Sequence, residues 1–245
     1  MYSDPLRPRE GLLPQDRDAM YRLLARHFQG VSREQFEEDL AGKNWVILLR
    51  DGSGELHGFT TLHFQEAHDA PGTFSVLYSG DTIVDPGAWG SSGLLRAWLD
   101  GVLRLRDQGD PSRPLYWLLL TSGFRTYRFL PLFWKWFFPR FDASTPPHTQ
   151  ALIDRLARER FGDLYHPAEG IVRFPRPQRL RGHLAGIPPG RMEDPHVHFF
   201  ARRNPGAEAG DELVSVTRIE EGNLTAPGLR VLRSLFGGPG AKAAP

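Results

Sequence analysis

The stretch that decides the reading covers residues 82–103, TIVDPGAWGSSGLLRAWLDGVL. Its opening closes an apolar strand expected over 73–84 (TFSVLYSGDTIV). Its second half reads as an amphipathic helix, because Leu94, Leu95, Trp98, Leu99, Val102 and Leu103 share one face at helical spacing through to Arg106. Between strand and helix lies PGAWGSSG, a run of small residues that lets the backbone turn tightly. Successive N–H groups at such a helix start present an anion site. Gly80, inside the strand, predicts a bulge or a close backbone approach.

Upstream, Met20, Leu23, Leu24 and Phe28 predict a helix over 18–28, with the first fifteen residues read as an arm. A second helix starts at Ser32, where Ser32 and Gln35 form a capping-box pattern, and runs through Phe36 and Leu40 to Gly42. WVILLR (45–50), DGSG (51–54) and the return strand 55–64 predict a hairpin. Downstream come a strand over 115–121 (LYWLLLT) and an aromatic helix or broken helix over 125–138. A helix over 149–161 follows, then a stretch from about 163 to 193 rich in Pro, Gly and Arg. Two late strands are expected, 196–202 (HVHFFAR) and 212–219, then a helix over 227–235 and a Gly/Pro/Ala tail.

Composition narrows the classes. A chain of 245 residues, 40% hydrophobic and 24% charged, can bury a core without a disulfide or metal staple. It has no cysteine, which removes thiolate catalysis, cysteine metal sites and redox relays. A net charge of +1 argues against general nucleic-acid binding. The most apolar run, FLPLFWKWFFP (129–139), is about half the roughly 20 residues a spanning helix needs. The polar, Pro-interrupted start lacks the apolar stretch of a signal peptide, so a cytoplasmic location is the expectation. Lysine stands only at 43, 135 and 242, so nearly all the basic residues are arginine. Codon bias of a GC-rich genome is the first reading of that skew, and phosphate or carboxylate recognition the second.

With this element order, residues 82–103 resemble the "V-x-P-x-x-R/Q-G-x-G-x-G/A" loop and following helix of the GNAT (N-acetyltransferase-like) acyltransferase superfamily. Val84, Asp85, Pro86 and Gly90 stand as in that pattern. Trp89 replaces the usual Arg or Gln, and Ser92 and Leu94 replace the second and third Gly. The resemblance covers roughly 18–141 plus the late strands. It implies an α/β fold (α+β in layers), with a GNAT-like mixed, mostly antiparallel sheet flanked by helices. A single domain over 1–245 is expected, its core about 18–141 and 195–220, with an inserted segment at about 142–194 and a flexible tail at 237–245.

The resemblance also implies acyl transfer from acyl-CoA, or from the phosphopantetheine of an acyl carrier protein, to an amine of a small molecule, with no metal. In it Gly90, Ser91, Ser92, Gly93 and Leu94 cradle the donor's phosphates beside Trp89, and Ile83 and Val84 position the thioester. Asp81 serves as base, and Tyr78, Arg125 and Arg128 face the substrate. The family often places a Tyr acid near the thiol, but that place holds Phe133 or Trp134 here. Tyr127 is the nearest substitute.

Plainer readings stand beside these. Asp81 also fits a structural carboxylate satisfied by backbone donors. Arg125, Tyr127 and Arg128 also fit a polar helix start, and the aromatic run of 129–138 also fits core packing rather than an acyl slot or a membrane-skimming helix. His196 and His198 alternate on the expected strand face at a spacing open to metal, although no third ligand follows. Arg173, Arg176, Arg179, Arg181 and Arg191 fit a solvated loop or a dock for an acidic carrier or RNA. The substituted glycines and absent Tyr leave open a non-catalytic binding protein on this scaffold, or an enzyme of different chemistry.

Overall fold

The structure, a computed structural model, describes residues 5–69, 72–88 and 93–236. In chain order it has β1 (Leu6–Pro8), α1 (Pro14–His27), β2 (Phe28–Gln29), α2 (Arg33–Ala41), β3 (Trp45–Arg50), β4 (Leu56–Asp69) and β5 (Gly72–Val84). There follow α3 (Gly93–Gln108), β6 (Leu115–Thr121), α4 (Phe124–Tyr127), α5 (Phe129–Phe133), β7 (Phe137–Phe138) and α6 (Pro147–Phe161). The chain continues through β8 (Tyr165–His166), β9 (Ile171–Val172), β10 (Arg179–Leu180), α7 (Pro195–Arg203), β11 (Glu212–Arg218) and α8 (Ala226–Phe236).

The main sheet has the order β1-β3-β4-β5-β6-β11-β9-β8, with β7 also on β11. Only β5 and β6 run parallel, as a crossover through α3 requires; the other ladders are antiparallel. This is the mixed, mostly antiparallel α/β sheet with helices on both faces. The expected arm is a strand, since Leu6 pairs with Ile47 and is buried. The segment read as an insertion adds β8 and β9 to the same sheet, and its β10 pairs with β2.

The two faces bury different clusters. On one, α3 packs Trp98, Leu99 and Val102 against Ile47, Leu77, Trp117 and Leu119. On the other, α1 and α2 cover Val46, Leu48, Phe59 and Ile83, while α6 covers Val76, Tyr78, Leu118 and Val214. The period-2 alternation of β3, β5 and β6 explains this sorting, since neighbours on a strand face opposite sides.

One expected strand is a helix. Residues 195–203 form α7, because Asp194 caps it by accepting from the His196 N–H at 2.9 Å and Pro195 sits in the first turn. Val197 and Phe200, three apart, are its buried residues. On a helix, positions two apart diverge, so His196 and His198 make no ligand pair. The expected aromatic helix is broken into α4, α5 and β7. It turns extended at Trp134, where the N–H returns to the Leu130 carbonyl and the chain enters the sheet at Phe137.

Candidate functional site

The parallel ladder between β5 and β6 runs from Ser75–Leu115 to Ser79–Leu119 and then stops, although β5 continues to Val84 and β6 to Thr121. The two strands part there, and a cavity of about 1170 Å³ occupies the opening. Its lining draws from both faces of the sheet. Leu94, Trp98, Trp117 and Phe133 come from the α3 side, while Asp39, Lys43, Tyr78, Asp81 and Arg160 come from the α2 and α6 side. The sheet is breached at this point.

A bulge sets which side chains face which way. In β4 and β5, Leu62 lies opposite Ser79 but Thr60 lies opposite Thr82, so β5 holds one residue more than β4 over that step. Up to Ser79 the odd positions face α3: Leu77 packs there, and the Ser79 hydroxyl oxygen accepts from Trp117 Nε1 at 2.9 Å. After the bulge the odd positions face α1 and α2, as buried Ile83 shows. Asp81 therefore lies with Tyr78 on the α2/α6 side. Gly80 permits this crossing. A Cβ at Gly80 would lie 2.4 Å from Lys43 Cε and 2.7 Å from Thr61 Oγ1.

The Asp81 side chain is half-buried on the cavity wall, and its Oδ2, shut off from solvent, has no hydrogen-bond partner. Burial raises its pKa, opposed by the Lys43 ammonium. Glu212, at the start of β11, is pushed up to about 8 by burial, with Asp81 and Asp39 adding to the shift. Asp39 is pushed up to about 6, by burial first and by Asp81 second. The Lys43 ammonium is lowered by burial, which Asp81 opposes, and it donates to the Asp39 carbonyl at 2.8 Å. Arg160, near the end of α6, lies over the Tyr78 ring at 4.1 Å to the centroid and donates to the Gly42 carbonyl at 3.0 Å. Burial lowers the Arg160 pKa and raises that of the Tyr78 hydroxyl. Among the described residues, none of these five charged side chains forms an ion pair with another.

Several expected site residues do meet here. Tyr78, Asp81, Ile83, Val84, Leu94 and Arg125 all line the cavity. Gly93 opens α3 but is not among the lining residues. Trp89, Gly90, Ser91 and Ser92 lie outside the described residues. Two assignments need correction. Tyr127 is fully buried away from the cavity, its hydroxyl donating to the Pro139 carbonyl at 3.0 Å amid Phe137, Phe199 and Phe200, so it cannot meet a thiol beside Asp81. Arg128 points elsewhere too and pairs with Asp194 at 3.0 Å.

Sequence reasoning missed Asp39, Lys43, Arg160 and Glu212. They come from α2, the turn after it, α6 and β11, and no local pattern joins them. The signal that could have found Lys43 is its rarity in a chain that otherwise uses arginine. The basic stretch of 173–181 largely binds its own chain. Arg173 pairs with Glu169 and with Asp211 at 3.0 Å, Arg176 pairs with Glu38 at 2.9 Å, and Arg181 donates to the Phe28 carbonyl at 2.7 Å. These ties hold 173–181 against α2 and β2, where Phe174, Arg176 and Gln178 wall the cavity.

Other donor groups are explained without a ligand. Asp51, Glu55 and His57 could hold a metal by spacing, but Asp51 already accepts from Ser53, Glu55 and His57 in an exposed hairpin turn. Among the described residues, no helix is long and apolar enough to cross a membrane.

No protein-family profile and no curated protein sequence matches the chain. Among solved structures it is similar to the GNAT family N-acetyltransferase YhbS of Escherichia coli in complex with CoA, at 20% identity over 53% of this chain and 71% of that one, TM-score 0.35. It is similar to Rv2747 of Mycobacterium tuberculosis, a structure in complex with CoA, at 13% identity over 88% and 99%, TM-score 0.41. A probable N-acyltransferase of Enterococcus faecalis V583 matches at 13% identity over 50% of this chain, TM-score 0.36, and the match spans 30% of that chain.

Proposed function

We propose that this chain transfers an acyl group from a CoA-type thioester to an amine. The observation that carries the reading is the parting of β5 and β6 into a cavity that crosses the sheet, with the unpartnered Asp81 carboxylate on its wall. A thioester seated in the gap lies beside the stretch 80–84, where β5 has left β6. Backbone N–H groups there can meet the oxygen that becomes negative during attack. The donor approaches from the α3 side, with the start of α3 at Gly93 and Leu94 for its phosphates. The acceptor amine lies on the α2/α6 side.

The chemistry needs one proton removed and one supplied. The amine nitrogen attacks the thioester carbonyl carbon and gives a proton to the Asp81 or Glu212 carboxylate. As the C–S bond breaks, the thiolate takes up a proton, leaving an amide and a free thiol. A carboxylate raised by burial suits the first step, because its pKa lies nearer the working pH. For the second step the thiolate, on the α3 side, takes its proton from solvent, since Tyr78 lies on the α2/α6 side and burial makes its hydroxyl a weaker acid.

The test is thiol release from acetyl-CoA and longer acyl-CoAs, with and without a panel of amines, alongside thermal shift with CoA. Ligand-dependent stabilisation and amine-dependent thiol release are expected. No shift and no release with any donor would sink the reading. A second reading, a binding protein without turnover, draws support from the commitment of the Tyr127 hydroxyl to Pro139; it expects stabilisation by CoA without thiol release.

A further inference from the structure

The acceptor side of the cavity holds charges of both signs that do not satisfy one another. Asp81 Oδ2 is enclosed and unpartnered, and Glu212 borders the same space. Lys43 and Arg160 also border it; they donate to backbone carbonyls and lie against Tyr78, and among the described residues neither is paired with an acid. Enclosed charges without partners are costly. A ligand that supplies the missing partners relieves that cost at both places together. A simple amine would answer the carboxylates and leave the two cations unmatched. A simple acid would do the reverse. A molecule carrying an ammonium and a carboxylate answers both and brings no net charge into the cavity. Phe161 and Phe174, ring to ring at 6.1 Å, add an apolar stretch to a wall that also carries Gln35, Glu38, Glu159 and Gln178.

Resting on the acyl-transfer reading, we propose that the acceptor is an amino acid with an apolar side chain. Its amino group sits against Asp81 and Glu212, its carboxylate on Arg160 and Lys43, and its side chain against Phe161 and Phe174. Arg160, Phe161 and Phe174 belong to the segment 142–194, so this segment selects the acceptor. Arginine suits that task, because its planar fork can take a carboxylate at two points.

Calorimetry on the full chain with L-phenylalanine, phenethylamine and 3-phenylpropanoate tests this without any turnover, and L-leucine, 3-methylbutylamine and 4-methylpentanoate repeat it for an aliphatic side chain. In at least one set the amino acid is expected to bind at least roughly tenfold more tightly than either fragment. Arg160→Gln is expected to lose roughly tenfold in affinity for the amino acid while leaving the amine unchanged, with partial recovery in Arg160→Lys. If Arg160→Gln does not fold, judged by circular dichroism, the wild-type series decides alone. Amines that bind as well as the amino acids overturn the proposal, and so does binding of no compound in either set. Amino-acid preference without thiol release would keep this assignment and remove the transfer reading. Thiol release with phenethylamine as good as with phenylalanine would do the opposite.

Discussion

Two tyrosines on opposite faces of one sheet show how differently this fold uses the same side chain. Tyr127 is entirely buried, packed by Phe137, Phe199 and Phe200, and its hydroxyl is taken up by the Pro139 carbonyl. Tyr78 is also buried, yet it sits on a cavity wall among Asp81, Lys43, Arg160 and Glu212. Around Tyr127 the rings fill the space, although Trp134 Nε1 and His196 Nδ1 have no partner. Around Tyr78 a cavity remains, with Asp81 Oδ2 unpartnered beside it. Burial alone therefore does not separate framework from site; an unpartnered polar atom beside open space does.

The largest effect that sharpens this contrast is on stability. Tyr127→Ala should cost about 3–5 kcal/mol, because a large ring leaves a well-packed cluster, and denaturant melts would measure it. A cost below about 1 kcal/mol would mean that the cluster collapses freely. Next, Asp81→Asn keeps shape and removes the charge. Thiol release should fall by roughly a hundredfold, the scale of a lost general base, while the melting temperature rises, since an unpartnered charge is removed. Unchanged turnover would move the base to Glu212.

A pH experiment probes the open region more gently. Glu212 is raised from 4.5 to about 8, so the folded chain holds a proton there that the unfolded chain releases. The group's stabilising contribution is full below its unfolded pKa and is lost as pH rises through the folded one. Glu212→Gln should thus have a small effect at pH 5 and stabilise by ~4 kcal/mol at pH 9, a gain of roughly 8–16 °C in Tm. An equal effect at both pH values would contradict that account. The smallest expected change is Tyr127→Phe, which removes one hydrogen bond. About 1 kcal/mol of stability should go, with thiol release per folded molecule unaltered.

The strands and helices with strong local signals were legible before the structure. WVILLR, LYWLLLT and the helix of Leu95, Trp98, Leu99 and Val102 all formed where their periodicity puts them. HVHFFAR misled because its alternation outweighed the cap signal of Asp194 and Pro195, which describes a helix start equally well. At the site, Tyr78, Asp81, Ile83 and Val84 were legible because they share one strand beside a glycine. Lys43, Arg160 and Glu212 were not, since they converge only through β5 and β6 parting and α6 crossing the sheet. The role of residues 142–194 lay hidden for the same reason. Their arginines read as a solvated run, but Arg176 and Arg181 tie the cavity wall to α2 and β2.

The extra residue in β5 has a consequence for how this protein can change over generations. Which face receives the Asp81 carboxylate depends on how many residues stand on either side of it between Ser79 and Ile83, and not on the residue types alone. Loss of Thr82 would restore plain alternation and turn the carboxylate toward Trp117, whereas loss of Gly80 would leave it on the α2/α6 side, opposite Ser79. The first of these reading-frame-preserving deletions joins the replacement of Asp81 itself as a way to silence this site without unfolding it.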